Sequence, residues 1–266
     1  MPSLPQSAPH TTASLSDDLR RLGVRPGDVL LVHSSMRSLG FVAGGVHAVI
    51  EALLHAIGPD GTLVVPAHTS SNCDPAGWRN PPVPEQWWPV IREQSPGFDP
   101  DRTPSEWMGI IAQTVRTWPG AVRSGHPRLS FAALGARAEE ITGGHPYDDG
   151  LGERSPLGAV YRLDGKVLLL GCGYDSNTSL HLAEWRQTAP PRGPHGSSVR
   201  RPDGSSEWLT WIDVIEDEGD FETLGADFEA GPGAVTGPVG KATARLMSQR
   251  AVVDFATEWI ASHRTR

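Results

Sequence analysis

Short apolar runs alternate with helix-like segments through the first two thirds of the chain. Between the first two runs, apolar residues recur every three or four positions from Val46 to Ile57, which predicts an amphipathic helix that Gly58-Pro59 ends. Alternating strands and helices are typical of an α/β fold, whose inner parallel strands are apolar on both faces. We therefore predict a mostly parallel central sheet flanked by helices. Its strands are expected at residues 29–33, 62–66, 129–134 and 166–170.

Two later parts of the chain depart from this alternation. Residues 67–104 are rich in Pro, Trp, Asn and Asp and show little periodicity, and a connection of this length is usually functional, so we predict a substrate loop or lid. Polar and apolar residues alternate around Asp203-Gly204, which predicts an antiparallel β-ribbon over residues 196–217. Apolar spacing near the end predicts helix from Lys241 to Met247 and again from Phe255 to Ile260.

The composition is typical of a globular protein with a large core. The chain has 266 residues, of which 38% are hydrophobic. This is enough to bury such a core, so we expect a single domain over residues 1–266. Acidic residues number 31 against 23 basic ones, which gives a net charge of −8. This charge argues against a nucleic-acid partner and favours cationic ligands.

Two further observations concern the cellular compartment. Cys73 and Cys172 lack the close spacing of zinc sites, so free thiols in a reducing compartment are expected, with a disulfide between them as the alternative. The first ten residues lack the basic and apolar regions of a secretion signal, and no stretch approaches the roughly 18 apolar residues that span a bilayer. These features predict a cytoplasmic protein with a loosely ordered N-terminal start and no membrane partner.

The segment from Gly171 to Glu184 carries the clearest chemical signal. It follows the strand at 166–170, its glycines permit a sharp turn, and the polar residues 175–177 are suited to begin a helix. On that helix His181 and Glu184 lie three residues apart on one face. A carboxylate bound to one ring nitrogen fixes the tautomer and stabilises the imidazolium, so the other nitrogen can act as a base. The alternative is an ordinary surface pair that slightly stabilises the helix.

Polar residues also cluster where the predicted strands meet their loops, at residues 33–40, 68–70 and 123–130. Ligands of α/β sheets bind at the carboxyl ends of the strands. Hydroxyl groups, the backbone N–H groups of a glycine-flanked loop and an arginine such as Arg37 suit a phosphate or pyrophosphate. The sequence therefore predicts a binding site for a phosphorylated ligand at this edge.

These residues together resemble the aminoglycoside 3-N-acetyltransferases, whose architecture is called the antibiotic N-acetyltransferase fold. The resemblance covers most of the chain, and its most specific feature is a His-Pro segment combined with an Asn-Thr-x-x-His-x-x-Glu segment. The better-known acetyltransferase fold is not expected, because its Gln/Arg-x-x-Gly-x-Gly/Ala loop is absent from the sequence. The matching motifs are Leu30-Leu31-Val32-His33-Ser34-Ser35, Arg123-Ser124-Gly125-His126-Pro127 and Asn177-Thr178-Ser179-Leu180-His181-Leu182-Ala183-Glu184.

The resemblance implies a reaction and the residues for it. It implies acetyl-coenzyme A as co-substrate, no metal, and direct attack in a ternary complex by an aminoglycoside, through the 3-amino group of its 2-deoxystreptamine ring. His181 would be the general base, Glu184 its orienter, and Thr178 a group that stabilises charge on the thioester oxygen. The cofactor-binding residues implied are Ser34, Ser35, Arg37, Ser38, Leu39, Gly40, Ser124, His126 and Arg128. The acceptor-binding residues implied are Asp74, Asp213 and Asp217.

Three other functions stay open at this point. Residues 81–88 and the pair His68-Thr69 depart from the established resistance enzymes, which is consistent with another small-molecule amine as acceptor. A non-catalytic drug-binding relative is the second alternative, since a fold does not fix an activity. The third is a metal-dependent hydrolase, although the chain lacks a closely spaced metal motif such as His-Glu-x-x-His. Its ligands would come from His33, His68, His126 and His181. A homodimer is a further possibility that the sequence leaves open.

Overall fold

Three parallel strands form the centre of a seven-stranded sheet. The computed structural model describes residues 8–231 and 233–264. Its strands are β1 (Val29–Ser34), β2 (Thr62–Pro66), β3 (Val122–Arg123), β4 (Phe131–Gly135), β5 (Lys166–Leu170), β6 (Arg192–Arg200), β7 (Ser206–Val214), β8 (Val235–Val239) and β9 (Ala242–Ser248). The sheet has the order β3-β4-β2-β1-β5-β9-β8, and β1 pairs in parallel with both β2 and β5.

The predicted α/β class is confirmed, and the parallel pairing belongs to the centre of the sheet. On one side β4 runs antiparallel to β2 and carries the short β3. On the other side β9 runs antiparallel to β5 and carries β8. The central strands are buried almost throughout, as expected for strands that are covered by helices on both faces.

The helix predicted from Lys241 to Met247 is wrong, because this segment is strand β9. Its Ala, Leu, Arg and Met residues favour helices, but such preferences differ by less than about 0.7 kcal/mol per residue. Ala242, Ala244 and Leu246 are buried at alternate positions, whereas Thr243 between them is exposed. Pairing with β5 and β8 on its two edges therefore outweighs the helix propensity.

Helices cover both faces of the sheet and divide the core into two clusters. One cluster packs the helices at residues 12–22, 45–57 and 109–116 against one face, and the other packs the helices between residues 138 and 263 against the opposite face. Thr11 caps the first helix through a capping box, and Gly23 ends it with a φ of 120°. The helices are α1 (Thr12–Leu22), α2 (Gly45–Ile57), α3 (Trp88–Gln94), α4 (Gly109–Arg116), α5 (Ala138–Thr142), α6 (Pro156–Arg162), α7 (Ser179–Trp185), α8 (Phe221–Glu229) and α9 (Gln249–His263).

The predicted ribbon is present as the antiparallel pair β6 and β7, which turns near Asp203-Gly204. The long segment 67–104 contains α3 and two short 3-10 turns rather than continuous coil. Asn72 joins this segment to the ribbon, because its side-chain amide donates to the Ser198 oxygen and accepts from the Ser198 N–H, both at 3.0 Å. Phe98 adds a parallel bridge to Val199. Loop and ribbon thus form one connected layer beside the sheet.

Three predictions from the sequence concern the cysteines, membrane-spanning helices and the N-terminus. Both cysteines are free thiols. Among the described residues, every helix is too short or too polar to cross a bilayer. The expectation of a loosely ordered start falls on residues 1–7, which lie outside the described residues.

Candidate active site

A cavity of about 1030 Å³ opens at the carboxyl ends of β1, β2 and β5. Its volume lies at the upper end of the range of about 300–1,000 Å³ that is usual for ligand sites. In α/β sheets, this edge is where ligands bind. The wall includes Ser34 and Ser35 at the end of β1, Pro66 and His68 around the end of β2, and Asp175, Thr178 and His181 after β5.

His181 and Glu184 form a hydrogen-bonded pair at the cavity wall. The Nδ1–H group of His181 donates to Oε2 of Glu184 at 2.6 Å. His181 lines the cavity, whereas Glu184 lies behind it and is 3% exposed. The ring of His181 also contacts that of Phe221, with 4.9 Å between the centroids. The pair is therefore not an ordinary surface pair, and the bond at Nδ1 leaves Nε2 as the ring nitrogen able to accept a proton.

Thr178 stands one turn earlier, next to a buried histidine. Its hydroxyl lies 3.3 Å from Nε2 of His33, the penultimate residue of β1. Burial, with a smaller contribution from nearby His181, lowers the pKa of His33 from 6.5 to about 3. His33 is therefore neutral at physiological pH, and its imidazole holds the Thr178 hydroxyl at the cavity wall without adding charge.

Only some of the residues at and after the end of β1 that were predicted to bind the cofactor line the cavity. Ser34, Ser35 and Arg37 line it. The Arg37 side chain is exposed and makes no hydrogen bond or ion pair with any part of the chain that the structure describes. Ser38 instead donates to the Gly171 oxygen at 2.9 Å. Leu39 is fully buried in the core, and Gly40 turns the chain with a φ of 80°. These last three residues support the loop from behind.

The second segment predicted to bind the cofactor, residues 123–130, is largely buried. Ser124 donates to Nδ1 of His145 at 2.9 Å and accepts from the Phe131 N–H at 2.9 Å. His126 is completely buried, and its Nδ1 accepts the N–H groups of Arg128 and Leu129. Neither residue lines the cavity, because their polar atoms are used to hold the loop before β4. Ser124 and His126, predicted to bind the cofactor, thus lie buried behind the cavity wall.

Arg128 does line the cavity, where it forms an ion pair with Glu216. The two side chains are 19% and 17% exposed. Burial by itself would raise the pKa of Glu216, but the charge of Arg128 and further hydrogen bonds keep it below its ordinary value. The pair is thus ionised, and the positive charge of Arg128 is already partly neutralised.

The predicted acceptor-binding carboxylates lie off the cavity wall. Asp74 caps a 3-10 turn through Ala76 N–H and pairs with Arg92 at 2.8 Å. Asp213 is 1% exposed and accepts from Gly150 N–H and the Trp185 indole, and burial raises its pKa. Asp217 is exposed, but its carboxylate accepts from the Gly219 N–H at 3.0 Å. None of these three residues lines the cavity.

Three other carboxylates face the cavity, and the sequence reasoning assigned none of them to the site. They are Asp175, Glu216 and Glu218. Glu216 and Glu218 follow β7, which ends at Val214, so strand alternation does not indicate which of these side chains point inward. Asp175 has a residue type that suits the start of a helix, and this gives no sign of a second role. Apolar residues complete the rim, with Trp107 and Ile110 88% and 52% exposed.

The histidines proposed for a metal site do not form one. Within residues 8–231 and 233–264 no group of three or more His, Cys, Asp or Glu side chains is arranged to hold a metal ion. His68 lines the cavity and contacts the Phe131 ring edge-on, and burial together with neighbouring positive groups lowers its pKa well below 6.5.

Comparison with known proteins matches this chain to one family along most of its length. The family model described as aminoglycoside 3-N-acetyltransferase covers residues 31–261. The chain belongs to this family of acyltransferases. The antibiotic N-acetyltransferase fold that the sequence implied is thereby confirmed.

Individual family members are similar over almost their full length. The prophage-derived aminoglycoside N(3')-acetyltransferase-like protein YokD of Bacillus subtilis is 40% identical over 261 residues, which are 96% of this chain and 94% of YokD. A YokD crystal structure matches with a TM-score of 0.94 and 39% identity, covering 98% of this chain and 97% of YokD. AAC-IIIb in a binary complex with CoASH has a TM-score of 0.86, and AAC-VIa bound to sisomicin has one of 0.85. Each is 30% identical and covers 97% of this chain and 100% of its own.

Proposed function

We propose that the protein transfers an acetyl group from acetyl-coenzyme A to the 3-amino group of the 2-deoxystreptamine ring of an aminoglycoside. The observation that carries this proposal is the His181–Glu184 pair on a large cavity at the carboxyl ends of the central strands. Its family membership supports the reaction class. The related structures named with CoASH and with sisomicin support the two substrates.

The residues at the end of β1 and just after it fit the phosphorylated co-substrate. Arg37 is exposed at the cavity and lacks a partner among residues 8–231 and 233–264, so its guanidinium is available for charge-assisted hydrogen bonds to phosphate oxygens. Ser34 and Ser35 offer hydroxyl groups on the same wall. When bound, acetyl-coenzyme A supplies an acetyl group activated as a thioester. The chain's part is to hold it with its carbonyl carbon accessible to the amine.

His181 would remove the proton from the attacking amine. With Nδ1–H bound to Glu184, Nε2 is the atom that accepts this proton, and the carboxylate stabilises the imidazolium that results. A positioned base of this kind accelerates proton transfer by about 10²–10⁴-fold. The Thr178 hydroxyl, held next to His33, would donate to the developing negative charge on the carbonyl oxygen.

Carboxylates of the cavity wall would hold the other ammonium groups of the acceptor. Glu218 and Asp175 are exposed at the cavity, and Glu216, which also lines it, is paired with Arg128. A different small-molecule amine is the second candidate acceptor. One observation favours it: Asp74 and Asp213, expected to bind a polyamine, have internal partners instead.

A thiol-release assay with acetyl-coenzyme A tests the proposal. Kanamycin, gentamicin and apramycin are compared with simple diamines, and the acetylated position is read from the NMR spectrum of the product. We expect turnover with at least one aminoglycoside and acetylation at its 3-amino group. Turnover only with simple diamines would assign a different acceptor. If none of these amines causes thioester cleavage, a non-catalytic drug-binding role would be favoured instead.

A further inference from the structure

Arg264 reaches back from the end of α9 to the carboxylate behind His181. Its Nη1 donates to Oε1 of Glu184 at 2.5 Å, while Oε2 of the same carboxylate binds His181. The backbone N–H of Asp217 completes the set at 3.2 Å from Oε1. Because Glu184 is 3% exposed, these protein groups replace the water that would otherwise solvate its charge.

The guanidinium of Arg264 is itself held on its other edge. Its Nε and Nη2 donate to the two carboxylate oxygens of Asp220 at 2.8 and 2.6 Å, and Nη2 also donates to the Asp217 backbone oxygen. The bonds to Asp220, and then those to Glu184, raise the pKa of Arg264 above its ordinary value despite partial burial. Arg264 is therefore a permanent cation in a fixed orientation, and bidentate pairing of this kind restricts a carboxylate to one geometry.

We propose that Arg264 is a positioning residue for the reaction: it fixes the orientation of the Glu184 carboxylate, and Glu184 in turn fixes the ring of His181. The inference rests on the proposed function, in which His181 accepts the amine proton. Without the cation, a buried carboxylate takes up a proton more readily, and a protonated carboxyl group no longer stabilises the imidazolium. It is also free to rotate away from Nδ1.

The segment matched by the family model ends at residue 261, so Arg264 lies outside it. Titratable groups from other elements act on His181 directly rather than through Glu184. They include His33 in β1, His68 after β2 and Glu216 after β7. Arg128, Asp175 and Glu218 are further charged groups on the same cavity wall.

The test compares Arg264→Gln and Arg264→Lys with the unmodified protein between pH 6 and 9. We expect Arg264→Gln to lower kcat by roughly 10–100-fold, as is typical when the hydrogen-bond partner that orients a metal-bound histidine is removed. KM for acetyl-coenzyme A should change by less than about twofold, since Arg264 does not line the cavity. The loss of kcat should be larger at pH 6 than at pH 8. Arg264→Lys should keep part of the original kcat. Guanidinium ion added to Arg264→Gln should restore part of the lost kcat.

Arg250→Gln is the matched control, because Arg250 also anchors α9, through the backbone oxygens of Tyr161 and Arg162. It should lower the melting temperature and leave the pH profile of kcat unchanged. If Arg264→Gln behaves like this control, or loses kcat equally at every pH without rescue by guanidinium, Arg264 is only a structural anchor. His181→Ala is measured in parallel. If that variant stays active, the proposed base itself fails, whatever Arg264 does.

Discussion

At the scale of single residues, His181 joins a buried carboxylate to an open cavity, and this makes it the first residue to replace. His181→Ala should lower kcat by about 10²–10⁴-fold, because the amine then loses its proton acceptor. Affinity for acetyl-coenzyme A, measured by calorimetry, should be almost unchanged. His55→Ala removes an exposed imidazole on α2 and serves as the control. A variant at position 181 with more than about a tenth of the original kcat would contradict the role as base.

Arg37 carries the prediction about the co-substrate. Arg37→Ala should raise KM for acetyl-coenzyme A by about tenfold or more, since a hydrogen bond to a charged group contributes about 1.5–3 kcal/mol. Calorimetry with coenzyme A and with its dephosphorylated form tells which phosphate Arg37 contacts. Arg21→Ala, an exposed arginine on α1 away from the cavity, is the control. Equal affinity of Arg37→Ala and the original protein for both ligands would remove Arg37 from the site.

At the scale of elements, Asn72 holds the long loop, the segment before β4 and the ribbon together. Its amide nitrogen donates to the oxygens of Pro127 and Ser198, and its amide oxygen accepts from the Ser198 N–H. Asn72→Ala removes three hydrogen bonds worth about 1 kcal/mol each, so the free energy of unfolding should fall by roughly 2–3 kcal/mol. Urea unfolding measures this. An unchanged midpoint would show that loop and ribbon are held together by other contacts.

Elements differ in how well the sequence predicts them. β1, β2 and β5 are apolar on both faces and bounded by glycine or polar residues, so their pattern is unambiguous. β9 is made of residues that favour helices and becomes a strand only by pairing with β5 and β8, which local sequence does not encode. The residues of the site also differ in whether local sequence reveals them.

The His181–Glu184 spacing is local, and sequence alone reveals it. Arg264 lies 80 residues from Glu184, and only the tertiary fold brings the two together. Ser124 and His126 have the residue types that ligands need, but they use their polar atoms internally. Sequence does not distinguish these two uses of a polar side chain, because the difference lies in which way the side chain points.

At the scale of the whole molecule, buried neutral histidines make stability depend on pH. Burial lowers the pKa of His33 from 6.5 to about 3 and that of His145 to about 4, so the unfolded chain binds protons that the folded chain does not. Their contribution is complete above pH 6.5 and is lost as the pH falls towards these folded values. By pH 4 the loss for His145 alone should be on the order of 3 kcal/mol.

The melting temperature should therefore be nearly constant from pH 7 to 8 and fall steeply between pH 6.5 and 4. A scanning calorimetry series in low-ionisation-enthalpy buffers records this. His55→Ala, which removes an exposed histidine, should follow the same curve. A melting temperature that stays level down to pH 4 would contradict the assignment of these histidines as neutral.

The net charge of −8 and the carboxylates on the cavity predict salt-sensitive capture of a polyamine. kcat/KM for a di- or polyamino acceptor should decrease between low salt and physiological salt, where the screening length is about 8 Å. Glu218→Gln should weaken the acceptor and reduce this salt dependence, whereas Asp60→Asn, at an exposed position away from the cavity, should not. Salt-independent kinetics with the best acceptor would indicate that recognition does not depend on these charges.

The two free cysteines differ in their position relative to the cavity, so alkylation of one of them can report whether the cavity is occupied. Cys73 lines the cavity and its thiol accepts a hydrogen bond from the Trp78 indole at 3.2 Å, whereas Cys172 does not line it. Burial raises the pKa of both thiols, that of Cys172 to about 11, so alkylation is slow enough to follow at neutral pH. Mass spectrometry of the two alkylated peptides, with Cys172 as internal standard, thus measures occupancy of the cavity in the absence of any turnover.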